Sequence, residues 1–267
     1  MALRIISKAG GKNLAKVRLE VDEHIAVITL HNPPVNALDA QIQQEILAAC
    51  DHIAHDDDIW VCILCSDLKT FCVGVDVKLF KQSVAARDVT NIQEVFYDGA
   101  LALYNLRVPL ICAVHGHCLG GGLCYPAGSD IVIAAEGTLF GIPEINLCVT
   151  GGSGHLARLL PPLLMRNMAY TGAFMTAEQL APYGGVTMIV PQGKLLDSAR
   201  AKARELCAKG PLVLRYLKAC MNRQENFQMR RKNDLELTYT RYMARHQDFT
   251  EGLNAFLEKR PPSYTGM

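Results

Sequence analysis

Two patterns of apolar positions run through the first half of the chain. In AKVRLEVDEHIAVITL, residues 15–30, apolar and polar positions alternate and then turn wholly apolar. This predicts two short strands joined by a turn at Asp22-Glu23. NPPVNALD breaks the pattern, because two prolines exclude a strand or helix interior. Asn36 or Asp39 is then placed to cap a helix carrying Ile42, Ile46 and Leu47 at helical spacing. WVCILC, PLICAVHG and DIVIAA follow as unbroken apolar runs, separated by helical stretches. Such runs suit strands buried on both faces, and their alternation with helices predicts βαβ units and a mainly parallel sheet.

The second half reads differently. PPLLMRNMAYTG predicts a helix stopped by Gly172, and TAEQLAPYG opens on a capping box from Thr176 to Gln179. From residue 198 to 257 the chain is rich in Ala, Leu, Lys, Arg and Glu and reads as almost continuous helix. Residues 224–246 carry many charges, which fits a solvated helical face or a subunit contact.

Composition narrows the function. The chain has 267 residues, half of them apolar, and a formal net charge of +1. That suits one large α/β domain, with or without a helical appendage, and lacks the basic footprint of a nucleic-acid binder. No run of about 18 apolar residues predicts a membrane span. The ten cysteines lie mostly in or beside apolar runs, and no secretory signal precedes them. This predicts free thiols in a reducing, cytoplasmic setting. Cys62 and Cys65 have metal-motif spacing, but on a strand their side chains point to opposite faces, and no metal is expected.

Three stretches carry candidate chemistry. In GHCLGGGLCYPAGSD, Gly120, Gly121 and Gly122 follow a strand and precede a helix expected from about Leu123. The triplet makes either a tight strand-to-helix turn or a bare helix N-terminus whose N–H groups favour a negative oxygen. In TFCVGVDVKLF, Gly74 permits an unusual backbone that could turn the Val75 N–H inward, with Asp76 capping the next helix. In GTLFGIPEINL, Glu144 sits among Phe140, Ile142, Ile145 and Leu147, where desolvation would raise its pKa toward neutrality. Alternatively it is a capping or salt-bridged glutamate.

In order along the chain, NPPVNALD, TFCVGVDVKLF, PLICAVHGHCLGGGLCYPAGSDIVIA, GTLFGIPEINL, GGSGHLARL and TEGLNAFLEKRPP resemble the crotonase family, also called the enoyl-CoA hydratase/isomerase family. The resemblance implies an α/β fold: a crotonase-like spiral of ββα units over residues 1–195, and a helical C-terminal region over 196–267 that trimerises. It implies an acyl-CoA thioester substrate, a homotrimer or dimer of trimers, and no cofactor apart from the coenzyme A within the substrate. The backbone N–H groups of Val75 and Gly121 would hold the thioester oxygen while an enolate forms, with Glu144 as acid/base. Coenzyme A would lie near Val35, Asn36, Ala37, Leu38, Asp76 and Val77, with Phe256 and Lys259 adding contacts.

Two positions depart from the family pattern. Hydratases of the family activate water with two glutamates, and Cys124 stands at the first of these positions. A thiol, mostly neutral at pH 7, cannot hold water as a carboxylate does. His155, in GGSGHLARL, is the second departure, read either as a packing residue or as a participant in proton transfer. The expected activity is therefore double-bond isomerisation or hydration of an enoyl-CoA with a single glutamate. A specialised acyl-CoA hydrolase or lyase, or a catalytically silent CoA-ester-binding protein, is the alternative.

Overall fold

The computed structural model describes residues 4–5, 15–85, 89–225 and 227–266. Strands β1 (Arg4–Ile5), β2 (Val17–Asp22) and β3 (Ile25–Leu30) lead into helix α1 (Ala40–His55). Next come β4 (Val61–Ser66), α2 (Val77–Ala85), α3 (Val89–Tyr104), β5 (Leu110–Val114), β6 (His117–Leu119) and α4 (Cys124–Gly128). β7 (Ile131–Ala135), β8 (Leu139–Gly141), α5 (Ser153–Leu159), α6 (Pro162–Thr171), β9 (Phe174–Thr176), α7 (Ala177–Leu180) and β10 (Met188–Val190) follow. The chain ends in α8 (Leu195–Cys207), α9 (Pro211–Gln224), α10 (Met229–Met243) and α11 (Gln247–Glu258).

The large sheet has strand order β1-β2-β3-β4-β5-β7-β10. Its first two pairings are antiparallel and the rest parallel. A three-stranded sheet, β6-β8-β9, stands beside it. The expected parallel core is present. The small sheet and the edge strands β1 and β10 were not expected, since strands of two or three residues leave no readable period.

Alternation along the strands shows why these runs are wholly apolar. Ile28, Cys62, Leu64, Leu110, Cys112 and Val132 face one core, with Ile42, Ile46 and Ile53 of α1. Val27, Val61, Ile63, Cys65, Ile111 and Ile133 face the other, closed by Leu195, Ala199 and Ala203 of α8. Cys62 and Cys65 thus lie on opposite faces of β4, as the strand period requires.

The local signals behave as their chemistry dictates. Asp39, not Asn36, caps α1, its carboxylate accepting the Ile42 N–H at 3.0 Å. Gly172, at φ +64°, ends α6, and the Thr176–Gln179 capping box opens α7. α10 is not a wholly solvated helix. Met229, Asn233, Glu236, Leu237 and Thr240 form a buried stripe along it. α9 is tied to the sheet's end by the buried Lys218, whose ammonium meets Asp130 at 2.7 Å.

Candidate active site

β4 and β5 are neighbouring parallel strands, so the segments that leave their carboxyl ends emerge side by side. The chain after β4 runs along the chain after β5: the Phe71 N–H bonds His115 O at 3.0 Å, Cys72 N–H bonds His117 O at 3.1 Å, and Leu119 N–H bonds Cys72 O at 2.9 Å. This pairing brings Gly74-Val75 against the glycine triplet.

Each glycine of the triplet has its own reason. Gly120 holds φ +53°, and a Cβ there would collide with Glu144 Oε1. A Cβ on Gly122 would lie 2.7 Å from Cys72 O. A Cβ on Gly121, by contrast, would make ordinary contacts, 3.4 Å to Leu38 Cδ1 and 3.5 Å to Val75 Cγ2. Internal packing therefore does not demand glycine at 121. Gly74, at φ +87°, completes the junction, since a Cβ there would meet Gly121 N and Leu119 O, each at 2.9 Å.

The Leu38–Val75 bridge fixes the direction of the Val75 amide. Leu38 N–H bonds Gly74 O at 2.8 Å and Asp76 N–H bonds Leu38 O at 3.1 Å. In that parallel pattern the Val75 N–H itself points away from Leu38. Gly121 lies in the 3₁₀ turn Gly120–Leu123, where the first N–H groups have no partner within the turn. Among the described residues, neither the Val75 nor the Gly121 N–H donates to a protein acceptor.

Glu144 reaches the same place from a third direction. β8 pairs with β6, and the 3₁₀ turn Pro143–Leu147 leaves its end. The residue is half-buried as a whole, but its Oε2 is shut off from solvent and has no hydrogen-bond partner. Burial pushes the carboxyl group up to about 8, with a lesser contribution from the charge of Glu236 and against a backbone hydrogen bond that lowers it. The turn is held from outside by α11, where a Cβ on Gly252 would lie 2.9 Å from the Leu147 carbonyl carbon.

Cys124 begins α4 and is 1% exposed. Burial, then the negative charges around it, pushes its thiol well up, so it is a neutral wall near Glu144. His155 is also buried, stacked on Tyr97 at 5.6 Å between centroids, with both ring nitrogens unpartnered. Burial, aided by Lys232, pushes it down to about 4, so it is neutral.

The segment expected near coenzyme A borders this junction. Leu38 touches the Gly121 position and pairs with Val75. Asn36 is buried at φ +52°, with its side chain committed internally: it accepts from Asn32 N–H at 2.6 Å and donates to Ser66 Oγ and Phe71 O, each at 2.8 Å. It shapes the loop that carries Val35, Ala37 and Leu38. Asp76 caps α2 through Lys78 N–H at 2.8 Å, placing Val77 at the helix start. Phe256 and Lys259 lie at the exposed end of α11.

Sequence reading missed Glu236 and Tyr97. Glu236, buried on α10, accepts hydrogen bonds at the start of α5, directly after the Glu144 turn. The helical spacing of Met229, Asn233, Glu236, Leu237 and Thr240 was the available signal, masked by the charges around it. A cavity of about 250 Å³ opens where the Glu144 turn meets α6, lined by Ile142, Ile145, Val149, Ser153, Met165 and Tyr170 among others.

Two unpaired amides beside a carboxyl group that titrates near neutrality can stabilise an oxygen that gains charge while a proton moves on or off the adjacent carbon. A family model for enoyl-CoA hydratase/isomerase matches residues 20–267. A (7aS)-7a-methyl-1,5-dioxo-2,3,5,6,7,7a-hexahydro-1H-indene-carboxyl-CoA hydrolase of Rhodococcus jostii is 32% identical over 216 residues, covering 81% of this chain and 84% of its own. A probable enoyl-CoA hydratase of Mycobacterium bovis is 32% identical over 253 residues, covering 93% and 97%. The crystal structure of a probable enoyl-CoA hydratase from Mycobacterium thermoresistibile matches with a TM-score of 0.77 at 30% identity, over 86% of this chain and 98% of that one.

Proposed function

The chain belongs to the enoyl-CoA hydratase/isomerase family and has its crotonase-like fold, and we propose that it processes an acyl-CoA thioester by way of an enolate, with one glutamate as the acid/base. The thioester oxygen is held by the Val75 and Gly121 N–H groups. Glu144 removes a proton from one carbon and returns it to another, moving the double bond of an enoyl-CoA. The supporting observation is the unpartnered, desolvated Oε2 of Glu144, on a carboxyl group whose Oε1 lies against Gly120, next to a Gly121 N–H with no protein acceptor among the described residues.

Isomerisation is favoured over hydration because of Cys124. A neutral thiol stands where a second carboxylate would help to activate water. Coenzyme A lies along Val35, Ala37, Leu38, Asp76 and Val77, with Asn36 shaping that loop and Phe256 and Lys259 contributing from α11. No cofactor beyond this carried coenzyme A is needed. A hydrolase or lyase of the same family is the second reading, and the relative named as a CoA hydrolase favours it.

The exposed apolar residues Leu212, Val213, Tyr216 and Leu217 on α9 support assembly into a trimer or dimer of trimers through the helical region 196–267. The unpaired, mostly buried cysteines suit a reducing cytoplasm, and no helix among the described residues is long and apolar enough to cross a membrane.

The test is incubation of a 2-enoyl-CoA and a 3-enoyl-CoA, separately, in deuterated and in ¹⁸O-labelled water. Deuterium incorporation with double-bond movement is expected. ¹⁸O in the acyl chain would mean hydration, ¹⁸O in a released carboxylate would mean hydrolysis, and no turnover of any CoA ester would leave only a binding role.

A further inference from the structure

Nothing local satisfies the N–H groups at the start of α5. Its N-cap, Gly152, has no side chain to offer, and the helix has seven residues. The acceptor comes from the distant helix α10. Glu236 Oε2 accepts from Gly152 N–H at 3.2 Å, Oε1 accepts from Gly154 N–H at 2.5 Å, and the Ser153 hydroxyl donates to Oε1 as well. Burial, the largest influence, pushes the Glu236 carboxyl group up, and its three donors pull it back down.

This turn is also a wall of the candidate active site. Gly152 holds φ +94°, and a Cβ there would face Glu144 Oε1 at 3.7 Å and Ile142 Cγ2 at 2.7 Å. The same oxygen lies against Gly120, where a Cβ would collide with it. We infer that Glu236 is a positioning residue for proton transfer at Glu144: it pins the Gly152–Gly154 turn, and that turn and Gly120 together clamp Glu144 Oε1. This rests on the reading of Glu144 as the acid/base.

The clamp has an electrostatic consequence. The other titratable groups around Glu144 and Glu236 are Tyr97 on α3, Cys124 on α4, and His155 on α5 with Lys232 facing it from α10. Burial, foremost, keeps Tyr97, Cys124 and His155 neutral. Among these groups Glu236 is the one whose charge raises Glu144 further, after burial. It makes Glu144 a stronger base than burial alone would.

The experiment compares wild type, Glu236→Gln, Glu236→Asp and Glu144→Gln by solvent-deuterium exchange into an acyl-CoA, measuring kcat and KM across pH with thermal unfolding as a control. In Glu236→Gln the amide NH₂ meets N–H donors at the turn and the charge is gone. Its kcat is expected to fall about 10²-fold while KM changes less than about threefold, since placement rather than binding is lost. Its acid limb is expected to move down, as a raising charge is lost. Glu236→Asp keeps the charge but shortens the reach, so it should lose kcat and keep the limb. A folded Glu236→Gln with wild-type kcat and limb, beside an inactive Glu144→Gln, overturns the positioning role. An active Glu144→Gln overturns instead the reading on which it rests. If Glu236→Gln does not fold, Ser153→Ala removes one donor from the same carboxylate and should show smaller changes in the same directions. Unchanged kcat and limb there would also overturn the role.

Discussion

Gly120 and Glu144 are in contact such that a methyl group on the first would occupy the place of the second's Oε1. Gly120→Ala therefore evicts the carboxyl group and also forces an alanine to φ +53°. A loss of about 1–2 kcal/mol in stability and of at least about 10²-fold in kcat is expected. Chemical denaturation and steady-state kinetics on one preparation check both.

Gly121→Ala should behave differently. Its Cβ fits among Leu38 and Val75 at ordinary distances, so the unfolding temperature should stay near that of wild type. The methyl group instead crowds the approach of the thioester oxygen to the amide. Turnover is expected to fall about 10²–10³-fold, the range for loss of one such donor. A mutant that is destabilised but active would reverse the assignment of the two glycines.

Glu144 links activity and stability through pH. Its folded pKa of about 8 stands above its ordinary 4.5. The native state therefore holds a proton that the unfolded state has released, and stability falls as pH rises through that window, levelling above about 8. Activity runs the opposite way: kcat/KM should climb about tenfold per pH unit below 8 and then plateau, because the base must be ionised. Glu144→Gln should abolish turnover, retain CoA-ester binding, and be more stable than wild type above pH 8 by about 2–4 kcal/mol. Urea melts and rate profiles across pH 5–9 check all of these.

The signals that point to this candidate site are local in the sequence. Three adjacent glycines, a glycine before Val75, and a glutamate after a proline in an apolar setting each carry their chemistry within a few residues. The buried runs at β4, β5 and β7 announced the parallel sheet, and periodicity placed Cys62 and Cys65 on opposite faces. Glu236 was not legible, because its role depends on contacts more than 80 residues away, with Gly152, Ser153 and Gly154. The charged composition of α10 pointed instead to a solvated face. Asn36 was placed by its motif, yet its internal hydrogen bonds appear only once residues 66 and 71 are brought to it.

Cys124 offers a simple chemical check. Its thiol is buried and held protonated, whereas Cys220 is exposed. Brief treatment with iodoacetamide at pH 7.5 should alkylate Cys220 and spare Cys124, read by peptide mass spectrometry. Cys124→Ala should keep activity within about tenfold of wild type, as for a wall residue. Cys124→Glu should raise ¹⁸O incorporation into an enoyl-CoA if the position faces the reacting double bond.

The most direct measurement is a crystal structure of Glu144→Gln with a bound acyl-CoA. The thioester oxygen should lie about 2.7–3.1 Å from both Val75 N and Gly121 N, with the substituted side chain beside the α-carbon. A thioester oxygen bound away from those two amides, or a ligand seated elsewhere on the molecule, would show that the site has been read wrongly.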